Sequence, residues 1–182
     1  MTLYRVLPYD SSAAADEKGG VLFVAGSTPG RIANPDLYRE LYLAAEPDGA
    51  IAEVFGHLPI WAQSDFVHAN CNPYALATYA LADDVAIFNL DDVDALKSIG
   101  VVRPTSVIRR NRKITQAWAR SIFALGSYAG AQWWSYYNPD WISLGLWDIS
   151  RLRAVGDPEV LSPAHPAVQS AAKAIVRQVR MR

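Results

Sequence analysis

The 182-residue chain is 51% hydrophobic and 11% aromatic, which supplies a folded core and excludes intrinsic disorder for the bulk of the sequence. Seventeen basic and eighteen acidic side chains leave a formal charge of −1, so there is no overall attraction to nucleic acid or to an anionic membrane. The lone cysteine, Cys71, excludes an intramolecular disulfide and a multi-cysteine zinc site.

The start of the sequence lacks the basic-then-apolar run of a signal peptide. The uncharged stretch at residues 121–139 is interrupted by Ser, Gly, Gln and Asn, which a membrane span avoids. We therefore expect a cytoplasmic protein in which residues 1–182 form one domain.

Six short segments predict β-strands, because they are rich in β-branched and aromatic residues or alternate in polarity, and turn-forming residues bound them. These segments are residues 21–25, 41–44, 75–81, 85–90, 131–135 and 143–147.

Three helices are predicted between and after these strands. Pro47 opens the first, whose apolar face runs to Leu58, and Thr115 is the predicted N-cap of the second. Pro166 starts the third, and residues 164–182 are predicted to be a C-terminal amphipathic helix that packs on the domain. The last turn of this predicted helix carries Arg177, Arg180 and Arg182. Strands mixed with a few helices favour an α+β fold over a regular βαβ series.

The first candidate site segment contains an arginine, a tyrosine and a glutamate that could meet a ligand. Arg31 lies in a Gly/Pro/Asn loop, where side chains are accessible to ligands. Tyr42 follows eleven residues later on a predicted strand, and Glu53 another eleven later on the first predicted helix. At ~100° per residue, Glu53 falls roughly 130° from the centre of the apolar stripe, so we expect it outside the core. Taken singly, Arg31 and Glu53 are also typical of an ordinary solvated surface.

A second segment, residues 132–141, is dense in Trp and Tyr. Their ring faces suit flat ligands, although an aromatic cluster sealing a sheet has the same composition. A third segment contains the basic residues Arg109, Arg110, Arg112 and Lys113, which indicate either a solvated helix entry or a phosphate contact.

Together these segments resemble the RES domain family, named for an arginine, a glutamate and a serine. The resemblance covers most of the chain and runs in order through Tyr-Arg at 4–5, Asn-Pro at 34–35, Leu-Tyr-Leu-Ala at 41–44, Ala-Glu at 52–53, Thr-Gln-Ala-Trp-Ala-Arg at 115–120, Trp-Trp-Ser at 133–135 and Gly-Leu-Trp-Asp at 145–148. Ser135 looks like the family serine. Many relatives carry the arginine directly after a Gly-Gly pair, whereas here Arg31 is the position that keeps the spacing to Tyr42.

The resemblance implies a fold like that of ADP-ribosyltransferases, a split mixed sheet with a few flanking helices around an NAD cleft. It also implies the toxin of a toxin–antitoxin pair that degrades NAD by hydrolysis or phosphorolysis. Its expected partner is a helix-turn-helix antitoxin of the Xre type, which covers the active site and supplies any DNA contacts. Two alternatives stay open: transfer of ADP-ribose to a protein, and a non-catalytic partner-binding domain.

The resemblance also gives each matched residue an expected role, with NAD as substrate and without a metal ion. Glu53 stabilises the cationic ribose formed when nicotinamide leaves, or orients the incoming water or phosphate. Arg31 contacts the phosphates or the nicotinamide side of the cleft, and Arg5 is a second binding contact. Tyr42 supplies a ring and a hydroxyl, and Ser135 supplies a hydrogen bond to ribose or carboxamide.

Overall fold

The computed structural model describes residues 1–26, 30–102 and 111–181. Within these ranges the strands are β1 (Thr2–Pro8), β2 (Leu41–Ala44), β3 (Ile60–Trp61), β4 (Tyr74–Leu81), β5 (Ile87–Asn89), β6 (Gly130–Trp134), β7 (Ile142–Leu146), β8 (Leu152–Val160) and β9 (Gln178–Val179). The helices are α1 (Pro47–Phe55), α2 (Val93–Ser98), α3 (Arg112–Ala124) and α4 (Pro166–Ala174), and a 3-10 turn covers Gln63–Phe66.

Seven of these strands form a mixed sheet in the order β5-β6-β7-β2-β1-β4-β8. Its pairings are antiparallel except that between β5 and β6, which is parallel. The short strands β3 and β9 form a separate parallel pair. The predicted α+β class and mixed sheet are therefore confirmed.

Apolar side chains form three clusters around the sheet. One joins α1 and α4 to the sheet through residues such as Ile51, Phe55 and Val168. A second includes buried leucines from β1, β2 and β7, and a third joins α3 to β5 and β6 through Ile122 and Phe88. The two helices that begin with a proline, α1 and α4, lie against each other on the sheet. Among the described residues, no helix is long and apolar enough to cross a membrane.

The strand predicted at residues 21–25 is wrong, because this segment is a turn followed by an irregular chain. Its carbonyl groups accept hydrogen bonds from side chains instead of a strand ladder. Arg5 Nη1 donates to the carbonyl oxygens of Val21 and Phe23, and the Tyr79 hydroxyl donates to that of Val21. The segment is thus fixed by polar side chains of β1 and β4.

Two strands of the sheet were not predicted from the sequence. β8 contains Gly156 and Pro158 and is mostly exposed, so it lacks the usual strand composition. It forms at the sheet edge because it pairs with β4 over nearly its whole length. β1 buries Leu3 and Leu7 in one cluster and Val6 in another, so neither face gives a clear polar alternation.

The predicted starts and ends of two helices need correction. α3 begins at Arg112, with Asn111 at the N-cap position, and Thr115 lies inside the helix, so the predicted Thr115 cap is wrong. The predicted helix over residues 164–182 is also too long. α4 ends at Ala174, and Val176 has a φ of 55°, a left-handed conformation that directs the chain into β9.

Candidate active site

A cleft with a volume of about 1080 Å³ opens between the sheet and the N-terminal end of α3. Four of the five predicted site residues line it: Arg5, Arg31, Tyr42 and Glu53. Its other charged or polar lining side chains come from Tyr4, Glu40, His57, Arg112, Thr115, Tyr136, Tyr137, Ser143 and Arg177. A cleft of this size accommodates a ligand as large as a dinucleotide.

Glu53 is the carboxylate at the centre of this arrangement. It lies on α1 away from the face that packs in the core, as its place outside the apolar stripe predicts. Its Oε1 atom accepts hydrogen bonds from Ser135 Oγ at 2.8 Å and from Ser143 Oγ at 3.3 Å. The orientation of the carboxylate is therefore set by two hydroxyls of the sheet.

Both serines are almost fully buried, with 5% exposure for Ser135 and 4% for Ser143. Ser135 directly follows β6, and its hydroxyl oxygen accepts a hydrogen bond from the backbone N–H of Tyr137 at 3.2 Å. Ser143 lies on β7 opposite Trp133 of β6. Ser135 therefore contacts Glu53 but does not itself line the cleft, and its predicted hydrogen bond to substrate stays a prediction.

The backbone at Arg31 is held by side chains of α3. Thr115 Oγ1 donates to the Arg31 carbonyl oxygen at 2.7 Å, and Gln116 Nε2 donates to the Gly30 carbonyl oxygen at 2.9 Å. Because Thr115 and Gln116 are neighbours on a helix, both carbonyls are fixed by one rigid element. The matched segments at 31 and 115–120 thus meet at the cleft.

The Arg31 side chain lies between aromatic and acidic groups. Its guanidinium carbon is 5.8 Å from the centroid of the Trp133 ring, a cation–π distance. Burial lowers the pKa of Arg31, and the carboxylates of Glu53 and Asp91 oppose that shift. Arg31 remains a cation at neutral pH, because no ordinary protein environment deprotonates arginine.

Tyr42 forms part of the cleft wall beside Arg31. Its ring meets Trp133 edge-on, with 6.3 Å between centroids, and its hydroxyl donates to Glu40 Oε1 at 3.3 Å. A Cβ atom on Gly30 would lie 1.8 Å from the Tyr42 hydroxyl, so only glycine allows this close approach. Burial, followed by the nearby Glu40 charge, raises the pKa of Tyr42, and the hydroxyl stays protonated.

Glu40 is a second carboxyl group in the cleft that the sequence interpretation missed. It is 8% exposed, and burial raises its pKa, with the Tyr42 hydrogen bond opposing the rise. The signal was present, because Glu40 directly precedes β2 and lies two residues before Tyr42, so an extended chain that continues by one residue places both side chains on the same side.

Arg5 reaches the cleft from β1 but also has a structural contact. Its Nη1 atom donates to the carbonyl oxygens of Phe23 at 3.0 Å and Val21 at 3.3 Å. Burial lowers the pKa of Arg5, and the nearby Tyr79 opposes the shift. Arg5 therefore holds the 21–23 segment beside the cleft, and its contact with substrate stays a prediction.

Three further residues line the cleft although they are not among the five predicted site residues. Of the basic cluster, Arg112 lines the cleft, while Arg109 and Arg110 lie outside the described residues. Arg177 lies in the predicted last turn of the third helix, and Ser143 lies in the strand predicted at residues 143–147; both line the cleft. In the part of the chain that the structure describes, no three His, Cys, Asp or Glu side chains are grouped to hold a metal ion.

Comparisons with known proteins bear on the fold and the family of the chain. Among solved structures, the chain is similar to one described as the crystal structure of the M. tuberculosis MbcT–MbcA toxin–antitoxin complex, with a TM-score of 0.61 and 16% identity. The similarity covers 96% of this chain and 88% of that one, and at this identity it shows a shared fold. Comparison with curated proteins gives no match. The sequence model of the RES domain family matches residues 2–171, so the chain belongs to the RES domain family.

Proposed function

We propose that this protein cleaves the bond between nicotinamide and ribose in NAD and transfers ADP-ribose to water or to phosphate. The observation that carries the proposal is the Glu53 carboxylate, which two buried serines hold at the wall of a cleft that also contains Arg31. Membership of the RES family and its resemblance to NAD-degrading enzymes suggest the substrate.

The lining of the cleft suits the parts of NAD. The diphosphate is anionic, and guanidinium groups bind phosphate oxygens through paired, charge-assisted hydrogen bonds. The nicotinamide and adenine rings are flat, and Tyr42 and Trp133 offer aromatic surfaces beside Arg31. The cleft volume of about 1080 Å³ is sufficient for the whole dinucleotide.

In the first half of the reaction, the bond between ribose C1′ and the pyridinium nitrogen breaks. The bonding electron pair leaves with nitrogen, so nicotinamide departs as a neutral molecule and positive charge develops on the ribose. The fixed carboxylate of Glu53 stabilises this charge, and because Ser135 and Ser143 already orient it, little reorganisation is needed.

In the second half, a nucleophile attacks C1′. Water yields ADP-ribose and releases one proton, which Glu53 accepts as the nearby base. Inorganic phosphate instead yields ADP-ribose 1-phosphate through a new carbon–oxygen bond. Arg31 holds the anionic groups of the substrate during both halves, and Tyr42 orients it through its protonated hydroxyl.

The direct test is nicotinamide release from NAD by the purified protein, with and without phosphate. Glu53→Gln removes the charge at nearly constant volume and is expected to abolish release while the protein stays folded. Glu17→Gln is the matched control, because Glu17 is exposed and lies outside the cleft lining. A folded Glu53→Gln variant with undiminished release would contradict the proposal. ADP-ribose found on protein instead of in solution would favour the transferase alternative.

We also propose that the protein is the toxin of a toxin–antitoxin pair in the cytoplasm, controlled by a helix-turn-helix antitoxin of the Xre type that covers the cleft. This rests on the family and on the toxin–antitoxin complex named for the similar structure. Expression of the chain alone should arrest growth, whereas expression of Glu53→Gln should not. If the unaltered chain and Glu53→Gln both arrest growth, the toxicity does not depend on NAD cleavage.

A further inference from the structure

Arg177 enters the cleft from a part of the chain that the family match does not cover. The RES match ends at residue 171, and Arg177 follows α4 in the segment that leads into β9. The left-handed Val176 turns the chain, and β9 then pairs with β3. As a result the half-buried Arg177 lines the cleft together with Gly56 and His57.

The Arg177 guanidinium is fixed by backbone carbonyl groups. Nε and Nη2 donate to the Gly56 carbonyl oxygen at 3.0 and 2.8 Å, and Nη1 donates to that of Ile175 at 3.2 Å. A guanidinium has five N–H groups, so three hydrogen bonds leave donor capacity on Nη1 and Nη2. The cation is preorganised, because these contacts restrict its orientation without neutralising its charge.

This cation changes the electrostatics of one cleft wall. Gly56 directly follows α1, and the C-terminal end of a helix carries unpaired carbonyls and a partial negative charge. Such an end facing the cleft would repel a phosphate group. Arg177 covers the Gly56 carbonyl and places a full positive charge there, so this wall attracts anions.

Arg177 contacts the residue that directly follows the helix of Glu53, so it lies at the C-terminal end of α1. Gly56 lies three residues after Glu53, which is about 4.5 Å of helix rise. In NAD the diphosphate lies one ribose away from the bond that breaks. With that ribose at Glu53, a group near the end of α1 is within reach of the diphosphate.

We propose that Arg177 binds the diphosphate of the substrate and so determines the preference for dinucleotides over nucleosides. The inference rests on the proposed function for the identity of the substrate. The inference adds Arg177 to the residues that bind substrate. It also specifies that the substrates carry a diphosphate.

The test compares Arg177→Gln with Arg180→Gln. Arg180 belongs to the same terminal segment but is exposed and outside the cleft lining. Calorimetric titration with ADP measures diphosphate binding without any reaction. Steady-state nicotinamide release is measured with NAD and with nicotinamide riboside, which has the same scissile bond but no diphosphate.

For Arg177→Gln we expect the Kd for ADP and the KM for NAD to rise about tenfold to a hundredfold, the usual range for a lost charge-assisted hydrogen bond. Turnover of nicotinamide riboside should change less than about twofold. Arg180→Gln should match the wild type in each assay. Unchanged ADP affinity, or equal losses with both substrates, would overturn the inference, since equal losses indicate only a structural role at the end of α1.

Two measurements keep the outcome decisive. If Arg177→Gln does not fold, Arg177→Lys serves in its place, because it retains the charge but loses the paired donors and should weaken ADP binding by a smaller factor. If the wild-type protein releases no nicotinamide from either substrate, the proposed function fails. The ADP titration then still decides on Arg177, and absence of ADP binding by the wild type would overturn its role.

Discussion

The hydrogen bond between Ser135 and Glu53 gives the most direct prediction about the proposed reaction. Ser135→Ala removes the 2.8 Å donor to Glu53 Oε1 and leaves the 3.3 Å donor from Ser143 in place. Hydrogen bonds to charged groups contribute about 1.5–3 kcal/mol, and each 1.4 kcal/mol corresponds to a factor of ten in rate. We expect kcat to fall about ten- to a hundredfold.

The assay is nicotinamide release from NAD, with kcat and KM determined separately. Ser135 acts on the orientation of Glu53 from beneath the cleft wall, so the loss should fall on kcat while KM changes little. Ser143→Ala should cost less than Ser135→Ala, because its hydrogen bond is longer. The double variant should have a lower kcat than either single variant. The two losses should not be additive in free energy, because both hydroxyls bind one oxygen atom.

Ser135→Thr retains a hydroxyl and serves as the conservative control. It should recover much of the activity that Ser135→Ala loses. The reasoning would be refuted by a folded Ser135→Ala variant with wild-type kcat, or by a loss confined to KM. The latter result would instead assign Ser135 to direct substrate binding, as the family resemblance suggests.

Three further predictions concern the support of the cleft. Thr115→Val removes the donor to the cleft arginine's carbonyl, and we expect a loss of about 1–3 kcal/mol in the free energy of unfolding in urea, with a higher KM for NAD. The hydroxyl of the buried Tyr38 donates to the carbonyl oxygen of Ile32, the residue after Arg31. Burial raises the pKa of Tyr38 to about 12, so its stabilising contribution is complete below pH 10 and is lost as the pH rises from 10 to 12. Tyr38→Phe should flatten this decline in the free energy of unfolding, measured in urea. Gly30→Ala places a methyl group against the Tyr42 hydroxyl and should lower stability by about 1–3 kcal/mol and reduce nicotinamide release.

Each of these three variants has a contrary outcome and two have matched controls. Ser121→Ala removes a hydroxyl from an exposed site on the same helix as Thr115, and equal losses from both would contradict the anchoring role. Gly26→Ala adds a methyl group that meets no atom within 4 Å, and it should be neutral where Gly30→Ala is not. If the free energy of unfolding of Tyr38→Phe falls between pH 10 and 12 as steeply as that of the wild type, the decline does not come from Tyr38.

The sequence was sufficient for the parts of the site that depend on local pattern. Pro47 and the apolar spacing after it predicted α1, and the place of Glu53 outside that stripe predicted its exposure. The order of the matched segments predicted that Arg31, Tyr42 and Glu53 share a site, and the structure brings them to one cleft. Local helical geometry and family spacing carry this information.

Other parts of the site depend on strand register and chain direction, which local composition does not encode. Ser143 meets Glu53 only because β7 pairs with β6 in the register that places Ser143 opposite Trp133. The apolar spacing extends past Ala174 and therefore predicted that Arg177 continues the helix. The chain instead gains the pairing of β9 with β3, a tertiary contact that overrides the helical pattern.

The hydrogen bond from Ser135 to Glu53 joins residues separated by 82 positions, and Arg177 comes later still in the chain. During synthesis, Glu53 therefore emerges from the ribosome long before the hydroxyls that orient it. The carboxylate cannot reach its final geometry until β6 and β7 have been made and have joined the sheet. Incomplete chains released before that point would lack the hydrogen bonds that orient the Glu53 carboxylate.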